Sequence, residues 1–170
     1  MEVWVFRLCI CLFCLIAMPL AGPARALEVP QGAPLLTVDG LIAQTNDGDL
    51  AVYDRAMLQA LDWREIETYT DFTLGVQHLA GPSLASLLKQ LGVRRGTLQA
   101  VALDDYMIDI PVSDVQAFGI ILAIEQDGQP MRVRNKGPIW IVYPAPTPED
   151  VNELHSSRMI WQLQRLTVKP

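Results

Sequence analysis

The sequence predicts an α+β fold: a single compact mixed-sheet domain with short helices. Three observations carry this. Short apolar or alternating runs outnumber helical ones, and turn dipeptides such as Asp39-Gly40, Asp104-Asp105 and Asp127-Gly128 separate neighbouring runs as antiparallel hairpins require. The helix-period segments are brief and do not alternate regularly with strands, which is not the pattern of a doubly wound parallel sheet. No Gly-x-Gly-x-x-Gly, P-loop or His-x-x-x-His spacing occurs.

In chain order, Leu35 to Val38 reads as a strand, turning at Asp39-Gly40 into a second strand over Leu41 to Ala43. Asn46-Asp47-Gly48-Asp49 is a turn, and Asp54 caps a helix with Ala56, Met57, Ala60 and Leu61 at helical spacing. Glu65 to Thr70 is strand-like. Ser83 caps a second helix through Leu84, Leu87, Leu88 and Leu91, with Gly92 placed where a left-handed residue ends it. Leu98 to Leu103 and Tyr106 to Ile110 form a hairpin, Ser113 to Phe118 a short helix, and Ile120 to Glu125 a buried strand. Ile139 to Tyr143 is a further strand, and Trp161 to Val168 the last, with Trp161 expected in the core.

The first 26 residues read as a cleavable export signal. Arg7 precedes the apolar run Leu8 to Leu20, and Ala24-Arg25-Ala26 fits a small-x-small cleavage site. The run is shorter than the roughly 20 residues of a membrane span. All three cysteines, Cys9, Cys11 and Cys14, lie inside it, so the mature domain, residues 27–170, is expected to be thiol-free and periplasmic. Formal net charge is −6, from 13 basic and 19 acidic residues. That balance argues against nucleic acid or an anionic membrane surface as the main partner.

Five segments in order then carry a resemblance. They are Gly81 to Leu88, Val101 to Tyr106, Asp127 to Met131, Lys136 to Pro144 and Ser157 to Leu163. Together they resemble the molybdopterin-binding domain of the sulfite oxidase family, over about Leu35 to Val168. The match is best to the small exported stand-alone members of that fold. The resemblance implies a cofactor pocket, but the catalytic family's metal-ligating cysteine falls in the segment that is Thr68 to Gly75 here. Threonine and aspartate offer hard oxygen, whereas that metal centre uses soft thiolate. Ile139-Trp140 stands where the enzymes carry an arginine, and Ile160 where they carry a lysine directed at the cofactor phosphate. No catalytic residue and no metal ligand is therefore assigned, and a full molybdenum cofactor is disfavoured.

What the resemblance leaves is a pocket for a free pterin, reduced or oxidised. A pterin needs an aromatic face and an acceptor for its ring N–H groups. Phe72 or Trp140 supplies the face; Asp71, Asp104 or Asp105 the acceptor; Arg134, Asn135, Lys136 or Arg158 a donor to the ring carbonyl or side chain. Trp140 is equally a core residue, and Asp104-Asp105 reads by default as an ordinary turn. Arg134 and Lys136 read by default as a solvated face. His78 and His155 have no metal-ligand spacing. The resemblance implies a periplasmic sensor or adaptor that reports the bound pterin to a membrane protein with cyclic-di-GMP synthase and phosphodiesterase domains. The alternatives are a molybdopterin-dependent oxidoreductase and an interaction module that has lost its ligand.

Overall fold

The computed structural model describes residues 26–170; the expected export signal, apart from its last residue, lies outside the described residues. The described chain is α+β. Its first strand, β1 (Pro34–Gly40), pairs antiparallel with β2 (Ala51–Asp54) and parallel with the last strand, β11 (Leu163–Lys169). β5 (Thr97–Ala102) and β6 (Met107–Pro111) complete a five-stranded sheet in the order β2-β1-β11-β5-β6. β3 (Trp63–Thr68) and β4 (Gln77–Pro82) belong to a four-stranded sheet with the short hairpin β8 (Glu125–Gln126) and β9 (Gln129–Pro130). β7 (Ile121–Ala123) pairs with β10 (Trp140–Val142). The helices are α1 (Arg55–Gln59), α2 (Leu84–Gln90), α3 (Val112–Ala117) and α4 (Glu153–Ser157).

Alternation works where one face of a strand is covered. In β5, Leu98, Ala100 and Ala102 are buried and their neighbours are not. β11 breaks the period because its register with β5 shifts between Leu163 and Arg165, so Leu163 and Leu166 both face inward. In β10 both faces are covered, and Ile139 through Tyr143 are all buried.

Two expectations are corrected. Leu41 to Ala43 is not a strand: Leu41 N–H closes on the Val168 carbonyl, and Ala43 N–H leaves the sheet for the Leu91 carbonyl. Gly40 has φ 85° there, and a Cβ on it would stand 2.2 Å from the Val168 oxygen. The partner of β1 is instead β2. The expected strand Ile120 to Glu125 divides into β7 and β8, because Ile124 N–H turns to the Ala80 carbonyl between them. β4 was not foreseen at all.

Both predicted caps hold. Ser83 Oγ accepts from Ser86 N–H. Asp54 accepts from the N–H groups of Met57, Gln31 and Gly32, which anchors the segment before β1 to α1. The Met57 bond, then that of Gly32, lowers its carboxyl pKa below the ordinary value. Stability from this group is complete above the unfolded pKa of about 3.9 and is lost as pH falls through the lower folded value. Asp54→Ala therefore lowers the urea midpoint at pH 7, and its deficit against the parent narrows as pH falls through that lower folded value, as paired urea titrations across pH would record.

Candidate ligand-binding site

A cavity of about 520 Å³ is bounded by three segments that the fold brings together. The loop 69–76 between β3 and β4 contributes Asp71 and Phe72. The end of β5 and the turn before β6 contribute Ala102, Asp104 and Tyr106. α4 and the residues after it contribute Glu153, Ser156, Ser157, Met159, Ile160 and Trp161.

Each segment is fixed locally. At the root of loop 69–76, Thr68 Oγ1 accepts from Ala145 N–H at 2.8 Å and Tyr69 N–H donates to the Ala145 carbonyl. Within it, Thr70 Oγ1 lies 2.7 Å from Thr73 Oγ1 and accepts from Phe72 N–H, which holds Phe72 in place. In the β5–β6 turn Asp105 takes φ 65° and Asp104 Oδ1 accepts from Tyr106 N–H. Asn152 caps α4 by accepting from His155 N–H. His155 also stacks on Tyr143, with ring centroids 4.8 Å apart, and meets Phe118 at a tilt of 58° with centroids 4.5 Å apart.

Two contacts across the cavity matter most. Ser156 Oγ donates to Asp71 Oδ2 at 2.6 Å, tying loop 69–76 to α4. Phe72 and Trp161 meet edge to face, with centroids 5.1 Å apart at 74°. The result is an aromatic wall beside a carboxylate that has one oxygen engaged by Ser156.

Of the residues picked from sequence, Asp71, Phe72 and Asp104 line this cavity. Asp105 does not; it is the exposed left-handed residue of the turn. Arg134 and Asn135 lie exposed in a 3-10 turn, Val133–Asn135, away from it. Lys136 is near without lining it: its ammonium lies over the Trp161 ring, 4.4 Å from the centroid. Gly137 allows the close approach expected of it, since a Cβ there would meet the Met131 backbone at 2.5 Å.

Trp140 is core, only 1% exposed, so its face is closed to a ligand; the buried Nε1 has no hydrogen-bond partner. Arg158 is engaged by Asp114, whose Oδ2 accepts from both Arg158 Nη1 and the Tyr143 hydroxyl. Burial and then that bond push the Tyr143 hydroxyl above its usual titration range, so it remains a donor. Asp114→Ala would strand a half-buried guanidinium and should cost about 3 kcal/mol of unfolding free energy, readable by urea denaturation.

The expectation that Trp161 is core is corrected: the residue is 36% exposed and lines the cavity. It precedes β11, and Gln162 after it has φ 55°, so strand alternation does not govern its direction. Tyr106, Glu153, Ser156, Ser157, Met159 and Ile160 were also not singled out as site residues. Asn152 followed by an acidic residue signals a helix start, but nothing local shows that this helix faces loop 69–76.

No family model matches the chain, and no curated protein sequence matches it. Among solved structures it is similar to the sulfane dehydrogenase SoxCD from Paracoccus pantotrophus, with a TM-score of 0.61 and 17% identity. The likeness covers 84% of this chain and 40% of that one, so the chain spans well under half of the neighbour's length. This is a sulfite oxidase-like fold. At that identity the likeness is one of fold, and the site's chemistry is argued from its own residues.

For a molybdenum cofactor the donor set does not fit. The described domain has carboxylates and hydroxyls at its cavity but no cysteine anywhere in residues 26–170. Among the described residues no group of three or more His, Cys, Asp or Glu side chains is placed to hold a metal ion. Ile160, which the sequence resemblance aligns with a phosphate-directed lysine, is an apolar lining residue.

Proposed function

We propose that the cavity binds a free pterin, in its reduced form, and that the protein acts as a sensor or adaptor. The observation that carries this is the Phe72–Trp161 wall standing beside Asp71. A pterin is flat, and its 2-amino and N3–H groups form one donor edge. An aromatic wall contributes about 0.5–1.5 kcal/mol beyond burial, and a carboxylate accepting two ring N–H groups adds charge-assisted bonds. A cavity of about 520 Å³ lies within the ordinary range for small-ligand sites. Tyr106 supplies a further aromatic edge.

The reporting step would be linkage. Ligand held against Asp71 and Trp161 favours one arrangement of loop 69–76 and α4, and a partner that prefers that arrangement then binds more tightly. Export to the periplasm and a membrane partner with cyclic-di-GMP domains remain part of the proposal. No helix among the described residues is long and apolar enough to cross a membrane. Anaerobic calorimetric titration with a dihydropterin and with the oxidised pterin tests the reading. Micromolar binding of the reduced form supports it; no heat from either at high micromolar concentration overturns it.

The second reading is a molybdopterin-dependent oxidoreductase. The fold likeness to a sulfane dehydrogenase favours it more directly than it favours signalling. Stoichiometric molybdenum in the purified protein would establish it.

A further inference from the structure

We infer that the cavity selects by charge, taking unphosphorylated pterins and rejecting those that carry a phosphate. This rests on the pterin-binding reading and narrows its ligand class. It adds a second ground, beside the missing thiolate, for the misfit with the molybdenum cofactor, whose pyranopterin carries a phosphate.

Three carboxylates, Asp71, Asp104 and Glu153, line the cavity, and no lysine or arginine does. The cations nearby are held by other partners. Arg158 is paired with Asp114, and Lys136 lies over the Trp161 ring. Arg134 is exposed on its turn, outside the lining. The remaining wall is apolar or hydroxyl-bearing, with Ile160 and Met159 on it. Ser156 engages one oxygen of Asp71, and Tyr106 N–H one of Asp104. Acceptors therefore face the cavity in excess of donors. Such a lining satisfies a ligand rich in N–H groups and offers a phosphate hydroxyl donors but no lysine or arginine to pair with.

A phosphate dianion in the cavity is repelled by each of the three carboxylates, and screening by salt weakens the effect. The expected discrimination is about tenfold at low ionic strength, shrinking as salt rises. Lys136, over the Trp161 ring, sets one positive charge against three negative ones, so it offsets the carboxylates only in part.

The test uses two probes with one ring, 6-hydroxymethyl-7,8-dihydropterin and its phosphate monoester. Each is titrated anaerobically into the full-length exported protein at low and high salt. The free alcohol should bind about tenfold tighter at low salt, and the Asp104→Asn/Glu153→Gln double variant should close the gap to within about threefold. Equal affinities, or tighter binding of the ester, overturn the charge selection while leaving the pterin reading intact. Binding of neither probe overturns both.

Discussion

Gly81→Ala is expected to unfold the domain. A Cβ at Gly81 would stand 1.9 Å from the Leu122 carbonyl oxygen, 2.7 Å from its carbon and 3.0 Å from Ala123 Cα. These are backbone atoms, so no side-chain rotation relieves the clash. β4 and β7 must separate, and with them the Ile124 N–H bond to Ala80 and the Leu84 N–H bond to Ile120. Overpacking that a side chain absorbs costs about 1–3 kcal/mol; here the cost should exceed about 3 kcal/mol and remove most of a domain's stability. Gly128→Ala is the matched control, because nothing lies within 4 Å of its Cβ position and only its φ of 70° is strained. It should cost about 1–2 kcal/mol. Circular dichroism and urea midpoints of both variants decide the matter. A folded Gly81→Ala with a midpoint near that of Gly128→Ala would show that the two strands lie further apart than described.

Trp161→Ala should weaken pterin binding by about ten- to thirtyfold while leaving the fold in place. The ring supplies the aromatic wall with Phe72, and losing the stacking and apolar burial together is worth about 1.5–2 kcal/mol. It is more than a third exposed, so its removal leaves no large internal cavity. Asp71→Asn isolates the second half of the site. Asparagine can still accept from Ser156, but it loses the charge that strengthens bonds from ring N–H groups, so about tenfold weaker binding is expected. Trp140→Phe provides the contrast. It perturbs a core residue that does not line the cavity, so stability should fall while affinity is retained. Calorimetric affinity beside a urea midpoint for each variant separates the two roles.

The local features of the fold were legible because they are local. Asp54 and Ser83 sit one residue before their helices with acceptors at the right offset, and Asp104-Asp105 makes the turn its side chains favour. β4 was not legible because Ala80-Gly81-Pro82 reads as a break. Its glycine is required instead by the backbone of β7, which is 40 residues away in sequence and touching in space. Leu41 to Ala43 misled for the converse reason: a sound hairpin signal was overridden by closure of Leu41 on Val168.

The site divides along the same line. Asp71, Phe72 and Asp104 were found through the resemblance, and they line the cavity. Arg158 and Trp140 carry chemistry suited to a pterin, but their partners are internal ones that spacing does not show, Asp114 for one and a doubly covered strand for the other. Trp161 was assigned to the core by treating residues 161–168 as one strand, whereas β11 begins at Leu163. The aromatic that matters is the one just outside the regular element.

The measurement that bears most directly on the central claim is to purify the protein anaerobically, denature it, and assay what it releases. Oxidation and fluorescence chromatography quantify pterin, and elemental analysis quantifies molybdenum. The account predicts close to one unphosphorylated pterin per chain and no molybdenum. Molybdenum with a phosphorylated pyranopterin, in stoichiometric amount, would contradict it and make the protein an oxidoreductase.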